Sequence, residues 1–263
     1  MSTTATTAHI VDVVFPLAGS TLPSDHNYLL FSTLSKLLPE VHEAKWLSIA
    51  GVSGCKKGAN HTIVLTDNSR LVLRLPLARL GEVYPLVGQR LQVGEHSVVS
   101  GPPVVQPLTP APTLYARMVV IKNKGIERCD PLALTWAVRR ALGSLNIFNA
   151  EVILETESVG GRCVFARRAL RVGNTGGVVV GYGLFIAGLN IYDSLLIQAE
   201  GIGAKRHFGC GIFIPAGSRV AQEHQIKFTE EEKLWQIPTT IKNLPSDLTR
   251  RPPREAWTIL PCG

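Results

Sequence analysis

The stretch that most constrains this chain is Gly201-Ile-Gly-Ala-Lys-Arg-His-Phe-Gly-Cys-Gly211. It reads Gly-x-Gly, five residues, then Gly-x-Gly. Glycines at 201, 203, 209 and 211 let the backbone adopt positive φ and approach a ligand without Cβ obstruction. Lys205, Arg206 and His207 between the two pairs point to a polyanionic ligand. The plainer alternative is a glycine-rich turn between two elements, and the arginines elsewhere in the chain weigh against it. The flanks decide which kind of loop this is. Asn190 can cap a helix through Glu200, with Leu195 and Ala199 at helical spacing and Gly201 suited to its end. The apolar run Ile212–Pro215 that follows reads as a strand. A Walker loop or dinucleotide fingerprint needs the reverse order, because there the helix N-terminus receives the phosphate. Mononucleotide binding is therefore excluded.

The surplus of charge agrees with a polyanionic partner. Lys plus Arg number 27 against 20 acidic residues, a net +7 over 263 residues. Residues 220–263 are balanced, so the surplus lies in residues 1–219. Arg outnumbers Lys seventeen to ten, which suits planar phosphate contacts. Nucleic acid is the first expectation and an anionic membrane surface the second. A hydrophobic fraction of 45% supports a buried core. Cysteines at 55, 129, 163, 210 and 262 are odd in number and widely spaced, without a Cys-x-x-Cys. They read as reduced thiols in a cytoplasmic protein, not as a zinc site. Residues 1–8 are small and polar, with no signal-peptide pattern, residues 1–9 are expected to form a flexible N-terminus, and no apolar run is long enough to span a bilayer.

Along the chain, Ile10–Leu17 reads as a strand. Ser24 can cap a helix starting near His26, with Leu30, Leu34, Leu37 and Val41 at helical spacing. Pro39 ends that helix at Leu38, which places His42 in a short segment beyond it. Trp46–Ala50 reads as a strand, Gly51–Asn60 as a basic loop carrying Lys56 and Lys57, and residues 62–65 and 70–75 as a hairpin. Pro76 opens a helix to Leu91, interrupted by Pro85. Strand signals at 96–99 and 104–105 precede a proline-rich connector, Pro107–Pro112. The second half repeats the order. It has a strand at 114–121, a helix capped by Asp130 with Arg139 and Arg140 pointing outward, a strand at 151–154, arms around the turn at 173–177, the helix from Asn190, the glycine loop and the last strand. Each half is β-α-β-β-α-β, the ferredoxin-like (RRM-like) order. The expected class is α+β: two tandem ferredoxin-like units with antiparallel sheets, at residues 10–106 and 113–215, and a C-terminal extension at 216–263 with an acidic segment, Thr229–Trp235, and Arg250–Arg254.

These features carry a family resemblance. Tandem ferredoxin-like halves, the double-glycine loop before the last strand, Ser194-Leu195 and Gln198 on the preceding helix, and Gly-Ile-Phe-Ile-Pro after the loop resemble the CRISPR-associated endoribonucleases that process repeat RNA. Pro23–Leu30 is similar to that family's first-helix start, and Val41-His42-Glu43 to the histidine that follows. The resemblance covers residues 10–215. It implies metal-independent cleavage of precursor CRISPR RNA within each repeat, by attack of the RNA's own 2′-hydroxyl on the adjacent phosphate. It implies no cofactor and no metal. The partners it implies are the repeat or guide RNA, with other subunits of a CRISPR effector complex as further candidates. The mature guide would stay bound through its 3′ repeat handle. A different class of reading is a catalytically inactive subunit that holds repeat RNA with the same fold.

Such chemistry needs a proton acceptor, a proton donor and cations at the phosphorane, and histidine suits either proton role. The absence of clustered carboxylates or Cys/His sets in the sequence agrees with a metal-free mechanism. By resemblance, His42 occupies the family's frequent catalytic place, and Lys45 lies three residues away to steady the phosphorane. His26 is the rival, being on the first helix itself, although its spacing from Leu30 also suits a structural histidine near the core. For RNA holding, the loop residues Gly201, Gly203, Lys205, Arg206, His207, Gly209 and Gly211 are joined by Arg162, Arg167, Arg168 and Arg171. No acidic residue interleaves those four arginines, so they read as a strand or hairpin arm able to follow a duplex backbone.

Overall fold

The computed structural model describes residues 9–121, 131–173 and 177–217. The Asp130 cap, Cys129, His224, Cys262, the segment at 229–235 and the arginines at 250–254 lie outside the described residues. The first half runs β1 (Ile10–Gly19), β2 (Thr21–Pro23), α1 (Asn27–Leu37), β3 (Ser48–Ser53), β4 (Lys56–Lys57), β5 (Thr62–Val64), β6 (Arg70–Pro76), α2 (Leu80–Val83), β7 (Arg90–Val93), β8 (His96–Ser100) and β9 (Val104–Pro107). Its main sheet has the order β3-β6-β1-β8-β7, with β9 also paired to β1. The first strand thus lies between the third and the fourth of a ferredoxin-like unit, β6 and β9. Along β1, Val11, Val13, Phe15 and Leu17 are buried in strict alternation, the period of a strand with one face on the core.

The second half runs β10 (Leu114–Val119), α3 (Pro131–Ser144), β11 (Glu151–Leu154), β12 (Thr156–Val159), β13 (Arg162–Phe165), β14 (Arg167–Val172), β15 (Gly177–Ala187), α4 (Ile191–Glu200) and β16 (Ile214–Pro215). The sheet order is β11-β15-β10-β16, and β14 pairs further along β15. The pattern of the first unit recurs: β10 lies between the third and fourth strands, all antiparallel. The hairpin β12–β13 interrupts the second strand position and forms a separate two-stranded piece. Its turn, Gly160-Gly161, has positive φ at both residues.

Several local expectations are corrected. The N-cap position of α1 is His26, with no side-chain cap, so Ser24 does not cap it. The helix does end at Leu38, and Pro39–His42 continues as one 3-10 turn. Residues 62–64 and 70–76 are not a hairpin. β5 pairs with β2 and β4 in a small sheet, while β6 pairs with β1 and β3. The nonlocal partners won because β6 fills the space between two buried strands. The helix read over 76–91 contracts to α2, flanked by 3-10 turns at Leu77–Arg79 and Tyr84–Leu86. Proline at 85 removes a helical donor there. Arg140 is exposed as expected, but Arg139 is half-buried, and its Nε has no hydrogen-bond partner among the described residues.

The two units share a seam. Arg74 on β6 is only 3% exposed and faces Asp12 directly across the ladder. Its Nε and Nη2 donate to the two carboxylate oxygens at 2.7 and 2.9 Å. Its Nη1 donates to the carbonyls of Gln198 and Phe213 in the second unit, at 2.9 and 2.7 Å. Gln198 lies in the last turn of α4, where carbonyls lack intrahelical partners, so Arg74 also caps that helix. The first core cluster takes in Met118, Leu170, Phe208 and Cys210 from the second unit. Gln198 donates to Thr109 O and Ser194 Oγ accepts from the Ala111 N–H, tying the connector to α4.

Candidate functional site

The glycine loop is held from below by β10. Ala204 N–H donates to Val120 O and Gly211 N–H to Met118 O, each at 2.8 Å. All four glycines have positive φ, as does Lys205. A Cβ at Gly203, Gly209 or Gly211 would strike Val120 O, Asn27 Nδ2 or Ile202 O. The glycines therefore serve the close packing of the loop on the protein itself, where the sequence had suggested close approach to a ligand. α4 enters the loop as read: Asn190 Oδ1 accepts from the Asp193 N–H at 2.8 Å, and Gly201 ends the helix at φ +65.

The loop lies on α1 and on the turn after it. Asn27 Nδ2 donates to Phe208 O at 2.9 Å. Phe208 packs edge-on against Tyr28 and Phe31, with ring centroids 5.5 and 5.1 Å apart. Phe31 stacks with His207 at 5.4 Å and with His42 at 5.8 Å. His207 Nε2 donates to Ala44 O at 2.5 Å. Because that partner is a carbonyl, the hydrogen resides on Nε2. Arg206 donates to Glu200 O at 2.5 Å and, at 3.4 Å, to Lys45 O. The fold thus brings His42, Lys45, Arg206 and His207 together, although 161 residues separate Lys45 from Arg206.

The two histidines around α1 differ sharply. His42 is exposed at the end of its 3-10 turn, and neither ring nitrogen has a hydrogen bond among the described residues. Val41, buried at 2%, anchors the turn beneath it. His26 is 3% exposed. Its Nδ1 donates to Pro23 O at 2.9 Å, and its Nε2 accepts from the Val52 N–H at 3.2 Å. Both nitrogens are used in the neutral ring. Burial pushes its pKa below the usual histidine value, the nearby Arg117 charge adds to that, and the Pro23 bond and Asp25 oppose it.

The four arginines divide. Arg167 and Arg171 share the exposed face of β14, and Arg162 is exposed on β13. Arg168 points the other way. Its Nη2 pairs with Glu155 Oε2 at 2.6 Å and its Nε donates to Arg117 O at 2.8 Å. Tyr115 Oη donates to the same carboxylate at 3.0 Å. The reading of Arg168 beside the other three overlooked Glu155, which lies outside the 162–171 run but reaches it in space. Sequence reasoning also missed Arg117, exposed on β10. Its charge reaches both His26 and Cys210, as that of Lys205 reaches Cys210. Its alternation with Ala116 and Met118 was the available signal. Burial still raises the Cys210 thiol to about 11, so it is no nucleophile at neutral pH. Among the described residues no group of three or more His, Cys, Asp or Glu could hold a metal ion, and no helix is long and apolar enough to cross a membrane.

Comparison with known proteins agrees with this geometry. A family model described as Cas6 Crispr matches residues 11–218. The chain belongs to the Cas6 family. The CRISPR-associated endonuclease Cas6 of Myxococcus xanthus (strain DK1622) is 34% identical over 207 residues, covering 79% of this chain and 82% of that protein. Among solved structures, a CRISPR associated protein Cas6 superposes with a TM-score of 0.53 at 12% identity, over 79% of this chain and 100% of the other. A RAMP protein binding different RNA substrates gives 0.54 at 12% identity, over 79% and 99%. At these identities the structures support the Cas6 fold alone, two ferredoxin-like units in tandem. The match to the family model stops at residue 218, one residue beyond the last described one.

Proposed function

We propose that this Cas6-family chain is an endoribonuclease that cleaves precursor CRISPR RNA within each repeat, without a metal ion, using the RNA's own 2′-hydroxyl. The 2′-oxygen forms a bond to the adjacent phosphorus and loses its proton. The bond from phosphorus to the 5′-oxygen breaks, and that oxygen gains a proton. The products are a 2′,3′-cyclic phosphate and a 5′-hydroxyl. His42 is the proton-transfer group of this step, and Lys45 offsets charge building on the phosphorane. The observation that carries the assignment is the contrast at α1: His42 is exposed beside the glycine loop with neither ring nitrogen bonded among the described residues, whereas both nitrogens of His26 are bonded. His26 is therefore a structural residue in this reading.

RNA holding falls to Lys205 and to the exposed Arg162, Arg167 and Arg171, with Arg117 added. The 3′ repeat handle stays with the protein after cleavage, where other effector subunits can meet it. Arg168 supports β14 from within. The test is a cleavage assay in EDTA on RNA carrying the repeat encoded beside the gene. One cut within the repeat, a cyclic phosphate terminus and loss of cutting in His42→Ala are expected. Intact RNA recovered bound to the wild-type protein would make it a holding subunit instead.

A further inference from the structure

The geometry points to His207 and Arg206 as positioning residues for His42, with the glycine loop acting as a clamp on the turn that carries it. This rests on the reading of His42 as the proton-transfer group. Three contacts converge on the segment 39–45. His207 Nε2 donates to Ala44 O, two residues beyond His42. Arg206 reaches Lys45 O with one nitrogen while its other donor caps α4 at Glu200 O. Phe31 stacks with both imidazoles, so the ring of His42 and the ring of His207 share one neighbour.

These contacts turn groups that could otherwise reach an RNA phosphate toward the protein. The Nε2–H of His207 is directed at a protein carbonyl. Two guanidinium nitrogens of Arg206 are bonded to main-chain oxygens, and its side chain is half-buried. Lys205, by contrast, is exposed, with its ammonium over the Phe208 ring at 5.3 Å. Adjacent loop residues thus have different duties: Lys205 faces outward and the next two face the turn.

The turn needs such support. Its last part is held by the Glu43 and Ala44 N–H groups, both donating to Val41 O, the latter at a long 3.4 Å, while Ala44 O also accepts from Leu47 N–H. The clamp comes from the second unit, where Met118 O of β10 and Val120 O just beyond it fix the loop. Small misplacement of a proton-transfer group is costly in rate, because effective molarity depends on near-attack geometry. Loss of the clamp should therefore slow chemistry more than it weakens RNA binding.

The experiment measures single-turnover cleavage at saturating enzyme, RNA affinity and thermal melting, for wild type, His42→Ala, His207→Ala, His207→Gln and the double variant His42→Ala/His207→Ala. Glutamine can place its amide donor near the position of Nε2 and has no ring proton to transfer. We expect His207→Ala to cleave about tenfold more slowly or worse at unchanged affinity. We expect His207→Gln to recover most of the rate, and the double variant to be no slower than His42→Ala alone, since both act through one group. Weakened affinity with a wild-type rate at saturation would overturn the clamp and make His207 an RNA contact. A lost rate that glutamine fails to restore, in a folded variant, would overturn it in favour of a second proton-transfer histidine. Undiminished cleavage by His42→Ala would overturn the His42 reading and, with it, the role assigned to His207; the first two outcomes leave that reading standing.

Discussion

The start of α1 and the turn beyond its end each hold a histidine, and the fold treats them oppositely. At the start, His26 is packed between Pro23 and Val52 with both nitrogens bonded to main chain. Beyond the end, His42 stands on an exposed 3-10 turn with a ring face against Phe31. One end is built to hold the first helix against β3; the other presents an imidazole. The same division recurs among the arginines: Arg74 is committed to an ion pair at the seam and Arg168 to one within the second unit, while Arg167 and Arg171 face solvent. Basic residues in this chain thus fall into interior braces and surface contacts, and the two kinds should fail differently.

The largest separation is expected in the rate. His42→Ala should lower cleavage about 10²- to 10⁴-fold, the usual contribution of a positioned acid or base, with melting and RNA affinity essentially unchanged. Quantified repeat cleavage alongside a binding titration checks it. A variant that cuts normally would erase the functional side of the contrast.

Arg74 should show the opposite signature. Removing one partner of a buried ion pair costs about 3–5 kcal/mol, because the other charge stays behind without compensation. Arg74→Ala leaves Asp12 and the carbonyls of Gln198 and Phe213 without their donor. Urea unfolding should show this loss of stability, with cleavage by the still-folded fraction retained at low temperature. A loss below about 1 kcal/mol would mean that water substitutes for the guanidinium.

His26→Ala should cost about 2–3 kcal/mol through two broken hydrogen bonds and a small cavity, again with cleavage retained where the protein is folded. Should cleavage vanish while the melting temperature holds, His26 would be the reacting histidine and the contrast at α1 would reverse.

How much of this was legible depended on whether the deciding partner was local. The positive φ of the glycine loop, the Asn190 cap and the end of α1 before Pro39 are written in neighbouring residues, and the structure shows them. The pairing of residues 62–64 was misread because its partners, β2 and β4, are set by tertiary packing and not by the short connection to residues 70–75. Nothing near Arg74 in the sequence marks it as buried, since the carbonyls it donates to are supplied by Gln198 and Phe213. Only the family resemblance put His42 ahead of His26 in the sequence: the groups that satisfy His26 are backbone atoms, which carry no side-chain signal. Glu155 escaped for a related reason, reaching Arg168 across the excursion of β12 and β13.

The smallest predicted effect tests burial at His26 by pH. Its folded pKa is lowered, mainly by burial, from the usual 6.5. Above that value both folded and unfolded chains hold the ring neutral, and stability is fully present. As pH falls below it, the unfolded chain binds a proton that the folded chain resists, so stability declines until the lower folded pKa is reached. For one proton the slope is at most about 1.4 kcal/mol per pH unit. His26→Asn keeps a donor for Pro23 O but cannot titrate. Stability curves for wild type and His26→Asn, measured between about pH 5 and pH 8, should therefore draw together as pH falls below the usual histidine value. A constant gap across that range would mean that His26 takes up its proton as readily in the fold as out of it, which a ring with both nitrogens bonded to main chain does not allow.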